Sequence, residues 1–349
     1  MRPQRLLNTA VYKATPSSGL SVTKPCFRDH TTKMKVAAIA SLILPLVVPS
    51  VFAWGAEGHE AVGYIAMQFL APSARSFVES SLGSMYSYSL GPAATWADVI
   101  KSKSAYKWSS ELHYVDAIDA PPTSCNVDEV RDCGGGHCIL SAIANYTSRI
   151  VDTTLDDSQR QEALKFLDHF IGDIGQPLHV EAYERGGNNI TAMCAGKASN
   201  LHAVWDSGII VQLLKNEYSN SLTAWVDELV SRIQDGVYEL DTTNWISCSS
   251  TTEPVQSDGI SARTVADDIA YFLEESPAIT PLQCPLVWAG ESNALVCFDV
   301  LNYASRSQDF CAGDYYDAAV NDIQLQIAKQ GYRLAAWLNV LFDGSTFLP

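Results

Sequence analysis

Two apolar helical segments of this chain each carry a histidine and an aspartate four positions apart. They are His169 and Asp173 in "FLDHFIGDIGQPLHV" (Phe166 to Val180), and His202 and Asp206 in "NLHAVWDSGII". Positions i and i+4 of a helix share a face, about one turn apart, so each pair aims two lone-pair donors at one point. Polar side chains on an apolar face must find partners when the face is buried. A single pair reads as a buried His–Asp hydrogen bond. Two copies, with His179 between them, restrict the fold to one that gathers several such donors.

The chain has 349 residues, and the first 53 do not read as folded protein. Met34–Lys35 is followed by "VAAIASLILPLVVPSVFA", an apolar run of signal-peptide length ending on Val51-Phe52-Ala53, which suits signal peptidase. The run is too short and too interrupted by proline for a membrane anchor. Segment 1–33 is polar and basic, without hydrophobic periodicity, and reads as an extended leader or an early start codon. Residues 54–349 are expected to form the catalytic domain, with Trp54 as the first residue. Eight cysteines remain there, at 125, 133, 138, 194, 248, 284, 297 and 311. An even count in a secreted chain, with no CxxC pair, argues for disulfides over zinc thiolates. Cys133 and Cys138 across "CGGGHC" make an easy local loop. Asn145-Tyr146-Thr147 and Asn189-Ile190-Thr191 are N-glycosylation acceptors that fit the secretory route.

After residue 53 there are 16 Lys and Arg against 38 Asp and Glu, a net charge of −22. Such a chain has no general affinity for polyanions. A phosphate substrate needs a local positive centre, and with so few basic side chains that centre would be metal.

Apolar residues recur at helical spacing from His59, Gln159, Asn200, Ser221 and Thr264, and in the closing "AAVNDIQLQIAKQGYRLAAWLNVLF". Long alternating strand patterns are missing. Stretches 119–136, 184–200 and 241–260 are rich in Gly, Pro, Ser and Asn and read as loops. No repeat or convincing linker interrupts residues 54–349. The expected fold class is therefore all-α, one mainly helical domain stapled by disulfides.

Five of the six histidines after residue 53 sit beside apolar segments: His59, His113, His169, His179 and His202. Only His137, in the glycine-rich cysteine loop, reads as a surface residue. Asp98 lies among apolar neighbours in "ATWADVI". Imidazole and carboxylate without thiolate are the ligand set of a hydrolytic zinc site. Two helical pairs plus single donors suffice for more than one ion, and closely spaced ions can clamp both oxygens of a phosphodiester displacement.

The blocks "WGAEGHEAVGYIA", "ATWADVI", "ELHYVD", "FLDHFIGDIGQPLHV", "GGNN" and "NLHAVWDSGII", in that order, resemble the zinc-dependent single-strand-specific nucleases of fungi and plants. This is the nuclease S-one and P-one family, similar in fold to bacterial zinc phospholipase C. The resemblance runs from Trp54 to about Ile210 and resumes in "IAKQGYRLAAWLN"; region 237–283 has no clear match.

The resemblance implies three zinc ions. One would take Asp98, His113, His169 and Asp173, and a second His179, His202 and Asp206. The third would take the free amine and carbonyl of Trp54, with His59 and the shared carboxylate of Asp173. Because an amide nitrogen has no basic lone pair, signal cleavage would create that ligand. The resemblance also assigns Tyr114 to base stacking, Asp116 to the base edge and Lys101 to the scissile phosphate, and by family position pairs Cys125 with Cys297. It leaves the pattern of the other four cysteines open.

The implied activity is hydrolysis of single-stranded DNA and RNA to 5′-phosphate products, with 3′-nucleotidase activity, by a secreted monomer without a membrane anchor. A zinc-held hydroxide would attack in line with Asp98 orienting it. Two other classes share these residues: a zinc phospholipase C acting on lipid headgroups, and a non-enzymatic secreted zinc-binding protein.

Overall fold

A computed structural model of the chain describes residues 54–133, 135–255 and 279–349. The leader and the helix expected from Thr264 lie outside the described residues. The final apolar periodicity becomes one long helix, Gly313–Asp343, which ends where Gly344 takes a left-handed conformation. Its buried stripe includes Ile323, Ile327, Leu334 and Trp337. The first helix, α1 (Ala56–Phe69), lies along it, joined by α2 (Pro72–Leu82). The approach is close: a Cβ on Gly331 would sit 2.6 Å from Ile65 Cβ. Any larger residue there would force the two helices apart.

Between these helices run α3 (Leu90–Ala94), α4 (Trp96–Lys101), a 3₁₀ segment (Ser104–His113), α5 (Glu129–Asp132) and α6 (Ile139–Val151). Helix α7 (Asp157–Asp173) opens with a reciprocal cap: Asp156 accepts from the Gln159 amide, and the Gln159 side chain accepts from the Asp156 amide. Such caps contribute about 1 kcal/mol. The remaining α-helices among the described residues are α8 (Leu201–Ala203), α9 (Ile209–Glu217), α10 (Leu222–Gln234), α11 (Thr242–Trp245), α12 (Gln283–Leu295) and the long α13 (Gly313–Asp343).

The fold is mainly helical, as the periodicity predicts, and the described residues carry four disulfides: Cys125–Cys297, Cys133–Cys138, Cys194–Cys311 and Cys248–Cys284. The expected loops need correction. Stretch 184–200 contains a hairpin of β1 (Thr191–Cys194) and β2 (Lys197–Asn200), antiparallel with Thr191 opposite Asn200. Its strands are four residues each, too short for alternation to register, and Cys194–Cys311 ties them to the foot of α13. Stretches 119–136 and 241–260 likewise hold the one-turn helices α5 and α11. No helix among the described residues is long and apolar enough to cross a membrane.

Candidate active site

The floor of the site is α7, whose inner face brings His169 and Asp173 to full burial. The His169 Nδ1–H donates to the Ala94 carbonyl at 2.6 Å, which fixes the ring and turns Nε2 inward. Nε2 then lies 3.2 Å from Asp173 Oδ2 and 3.5 Å from Asp98 Oδ1. From the end of the 3₁₀ segment His113 places Nδ1 3.0 Å from Asp173 Oδ2. From α1 His59 stacks on His169, with centroids 3.8 Å apart, and reaches Asp173 Oδ1 at 3.1 Å. That stacking needs Gly172, because a Cβ there would come within 2.9 Å of His59 Nδ1.

The second pair forms the adjoining wall. After α8 the backbone widens into a π turn, Val204–Gly208, so the expected regular helix is interrupted at Asp206. Single π turns of this kind gather at functional sites. His202 Nε2 still meets Asp206 Oδ2 at 3.2 Å. The His202 Nδ1–H donates to the Gly186 carbonyl at 2.6 Å, and the His179 Nδ1–H to the His113 carbonyl at 2.8 Å. Three histidines are thus oriented by backbone carbonyls, each leaving Nε2 for the interior. His179 Nδ1 also lies 3.9 Å from Asp173 Oδ1, which joins the two walls.

Trp54 is fully buried at the edge of this cluster. Its indole N–H donates to the Gly172 carbonyl at 2.9 Å, and the Gly55 amide donates to the Asp206 carbonyl at 2.6 Å. The beginning of the described chain is therefore clamped between both walls.

The electrostatics of the cluster favour cations. Burial works against charging His169, but the carboxylates of Asp173 and Asp98 outweigh it and push its pKa up to about 10. Burial holds His113 down to about 3, against the pull of Asp173. For Asp98 and Asp173 burial pushes upward, yet His169 and other neighbours keep both carboxyls below their ordinary range. Lys101 donates to Asp98 Oδ1 at 2.6 Å. Buried polar atoms nevertheless go without hydrogen-bond partners: both nitrogens of His59, Nε2 of His113 and of His179, Asp173 Oδ1 and Asp206 Oδ2. Such groups are costly to bury unpaired, and a bound cation would satisfy them together.

Three sets of ligand atoms lie within 4.8 Å of one another: His59, Asp98 and His169; His113, His169 and Asp173; and His179, His202 and Asp206. The structure thus gathers every side chain expected to bind metal, and the donor set fits zinc. A fourth grouping, Asp119, Cys125 and Glu181, differs in that Cys125 is committed to a disulfide.

The expected substrate residues flank this cluster. Beyond His113 the chain is extended, burying Val115 and Ala117 and exposing Tyr114 and Asp116 on the other side. Asn145 lies half-buried on α6, and Asn189 is exposed in the loop before β1. Two further residues, one supporting the cluster and one beside the expected substrate residues, escape a reading of the sequence. Gln176 donates to Asp206 Oδ1, while its own side-chain carbonyl accepts from the Leu178 amide at 2.6 Å. Arg185 lies close enough to Tyr114 and Asp116 to influence both electrostatically. Gln176 had one available signal, an amide between Asp173 and His179 in an apolar run.

The profile described as S1/P1 Nuclease matches residues 54–343, which includes the region 237–283 where motifs alone give no match. The chain belongs to the S1/P1 nuclease family. It is 41% identical to Nuclease PA3 of a Penicillium species and to Nuclease P1 of Penicillium citrinum, in each case over 82% of this chain and 97% of the relative. It is 36% identical to Nuclease S1 of Aspergillus oryzae, over 83% of this chain and 92% of that relative. This S1/P1 nuclease is a hydrolase of a metalloenzyme family, acting on nucleic acid, and the His/Asp cluster is its candidate metal centre.

Proposed function

We propose that this enzyme is a secreted, monomeric zinc nuclease that hydrolyses single-stranded DNA and RNA to 5′-phosphate products and also removes phosphate from 3′-nucleotides. Cleavage before Trp54 would leave 54–349 as the catalytic domain and supply a free amine to the site. Three ions would be held by Asp98, His113, His169 and Asp173; by His179, His202 and Asp206; and by Trp54, His59 and Asp173. Bound zinc supplies an activated water-derived nucleophile and Lewis-acid stabilisation of charge on phosphate and leaving oxygens.

The chain's own residues do the rest. Asp98, held as a carboxylate, accepts a hydrogen bond from the attacking oxygen and so orients it toward phosphorus. Lys101, partly exposed beside Asp98, sets its ammonium against a phosphate oxygen as a point charge. Tyr114 stacks a nucleobase whatever its identity, and Asp116 accepts from the base edge. Ala94, His113 and Gly186 hold three imidazoles through their carbonyls, and Gln176 holds Asp206.

One observation carries this reading: three inward-facing imidazole nitrogens converge on buried carboxylates that lack enough donors to satisfy them. Initial rates of the purified protein on denatured DNA, duplex DNA and phosphatidylcholine vesicles test it. Preference for denatured DNA is the expected result. Turnover of the lipid alone points to a phospholipase, and no turnover of any substrate points to a binding protein.

A further inference from the structure

The segment that joins two of the expected ligands, Asp98 and His113, differs in charge from the rest of the chain. Lys101, Lys103 and Lys107 fall within seven residues and are three of the seven lysines after residue 53. No Asp or Glu occurs between Asp98 and Glu111. Lys101 is tied to Asp98, but Lys103 and Lys107 are exposed and pair with no carboxylate among the described residues. In a chain with net charge −22 after residue 53, this run of three lysines is a local excess of positive charge that favours a polyanion.

An aromatic ring is built into the same segment. Trp108 is 55% exposed, although a tryptophan side chain gains by burial. Its indole N–H donates to the Ala105 carbonyl at 2.9 Å, which fixes the ring. Behind it stand Tyr106, stacked at 6.1 Å, and the buried Phe166 at 6.0 Å. Tyr106 is itself anchored, donating its hydroxyl to Glu162 at 2.5 Å. The result is a rigid exposed ring flanked by unpaired ammonium groups, the combination that binds single strands without sequence preference.

We infer that Lys103, Lys107 and Trp108 form an extended subsite that takes the phosphodiester backbone and one base of a single-stranded polynucleotide beyond the nucleotide being cleaved. The inference rests on the nuclease reading above. It assigns the strip to chain length, whereas Tyr114, Asp116 and Lys101 serve the nucleotide at the point of cleavage. A lipid headgroup or a mononucleotide is too short to use it.

The test compares the zinc-loaded enzyme on a thymidine oligonucleotide of about twenty nucleotides and on thymidine 3′-monophosphate. Lys103→Gln/Lys107→Gln should raise KM for the oligonucleotide. It should also flatten the dependence of log(kcat/KM) on log salt by about 1.4, or ~0.7 per lost phosphate contact on a single strand. Trp108→Ala should lower kcat/KM on the oligonucleotide by about fivefold or more, the low end for a lost stack, while Trp108→Phe keeps most of it. Neither change should alter turnover of the mononucleotide.

Binding of a fluorescent phosphorothioate oligonucleotide, read by anisotropy, should weaken in parallel. Equal effects on both substrates, or none on the oligonucleotide, overturn the subsite. Should Trp108→Ala fail to fold, the lysine pair decides alone. A wild-type protein active on the mononucleotide but not on the oligonucleotide overturns the subsite and leaves the phosphatase chemistry standing. Inactivity on both overturns the nuclease reading along with it.

Discussion

The His169–Asp173 and His202–Asp206 pairs have the same spacing but different surroundings. The first lies in the regular last turn of α7, fully buried, and Asp173 is approached by His59, His113, His169 and His179 at 3.1, 3.0, 3.2 and 3.9 Å. The second lies where the helix widens into a π turn, and Asp206 meets only His202 at 3.2 Å and His179 at 3.9 Å, with Gln176 as its amide donor. Equal sequence spacing therefore builds a hub approached by four imidazoles in one wall and a seat approached by two in the other. What separates them is the number of other segments that arrive, and spacing does not encode that.

Substitution at the two aspartates should break this symmetry most plainly. Asp173→Asn replaces a carboxylate shared by several donors with a neutral amide. It should abolish hydrolysis and remove more than one zinc, whereas Asp206→Asn should remove one and leave the other sites filled. Metal analysis of both variants checks this, and equal losses would erase the distinction between hub and seat.

The next largest effect is expected at the chain start. One extra glycine before Trp54 converts its amine into an amide, leaving the side-chain ligands intact. The protein should fold, hold about two zinc ions in place of three and lose most of its activity. Unchanged zinc content would remove the N-terminus from the site and leave His59 to Asp173 alone.

A smaller effect separates a ligand from its support. Gln176→Ala leaves Asp206 without its amide donor and should weaken zinc binding in that wall alone by roughly 10- to 100-fold, as for other supports of metal ligands. Titration with a competing chelator reads the change. Tyr114→Ala lies outside both walls. It should weaken nucleotide binding by about 1–3 kcal/mol, the range for a lost base–aromatic stack, without changing zinc content. Unaltered kinetics on 3′-nucleotides would place base stacking elsewhere.

Much of the site is legible in the sequence because its donors are conspicuous: histidine and aspartate stand out on apolar faces, and helical spacing alone pairs them. The helical class is legible for the same reason, from long periodic runs such as the one that forms α13. The supports are not. Ala94, His113 and Gly186 act through backbone carbonyls, which every residue possesses, so no residue type marks them. The π turn at 204–208 keeps its i, i+4 contact and leaves no trace in the pattern. The hairpin 191–200 hides in a stretch of Gly and Asn because four-residue strands are too short to alternate visibly. Trp108 gives no signal of its own, since a lone tryptophan in "AYKWSSEL" marks neither a helical stripe nor a motif, and only its exposure sets it apart.

Zinc stoichiometry, measured alongside turnover, tests the central claim most directly. Protein confirmed to begin at Trp54 is analysed for metal by mass spectrometry and assayed on denatured DNA, then stripped with a chelator and reloaded. The proposed three-ion centre predicts about three zinc ions per chain, activity that disappears as they are removed, and recovery when zinc is restored. Full activity in protein that retains no metal would contradict it, because the buried His/Asp cluster would then be a hydrogen-bonded core and the chemistry would reside elsewhere.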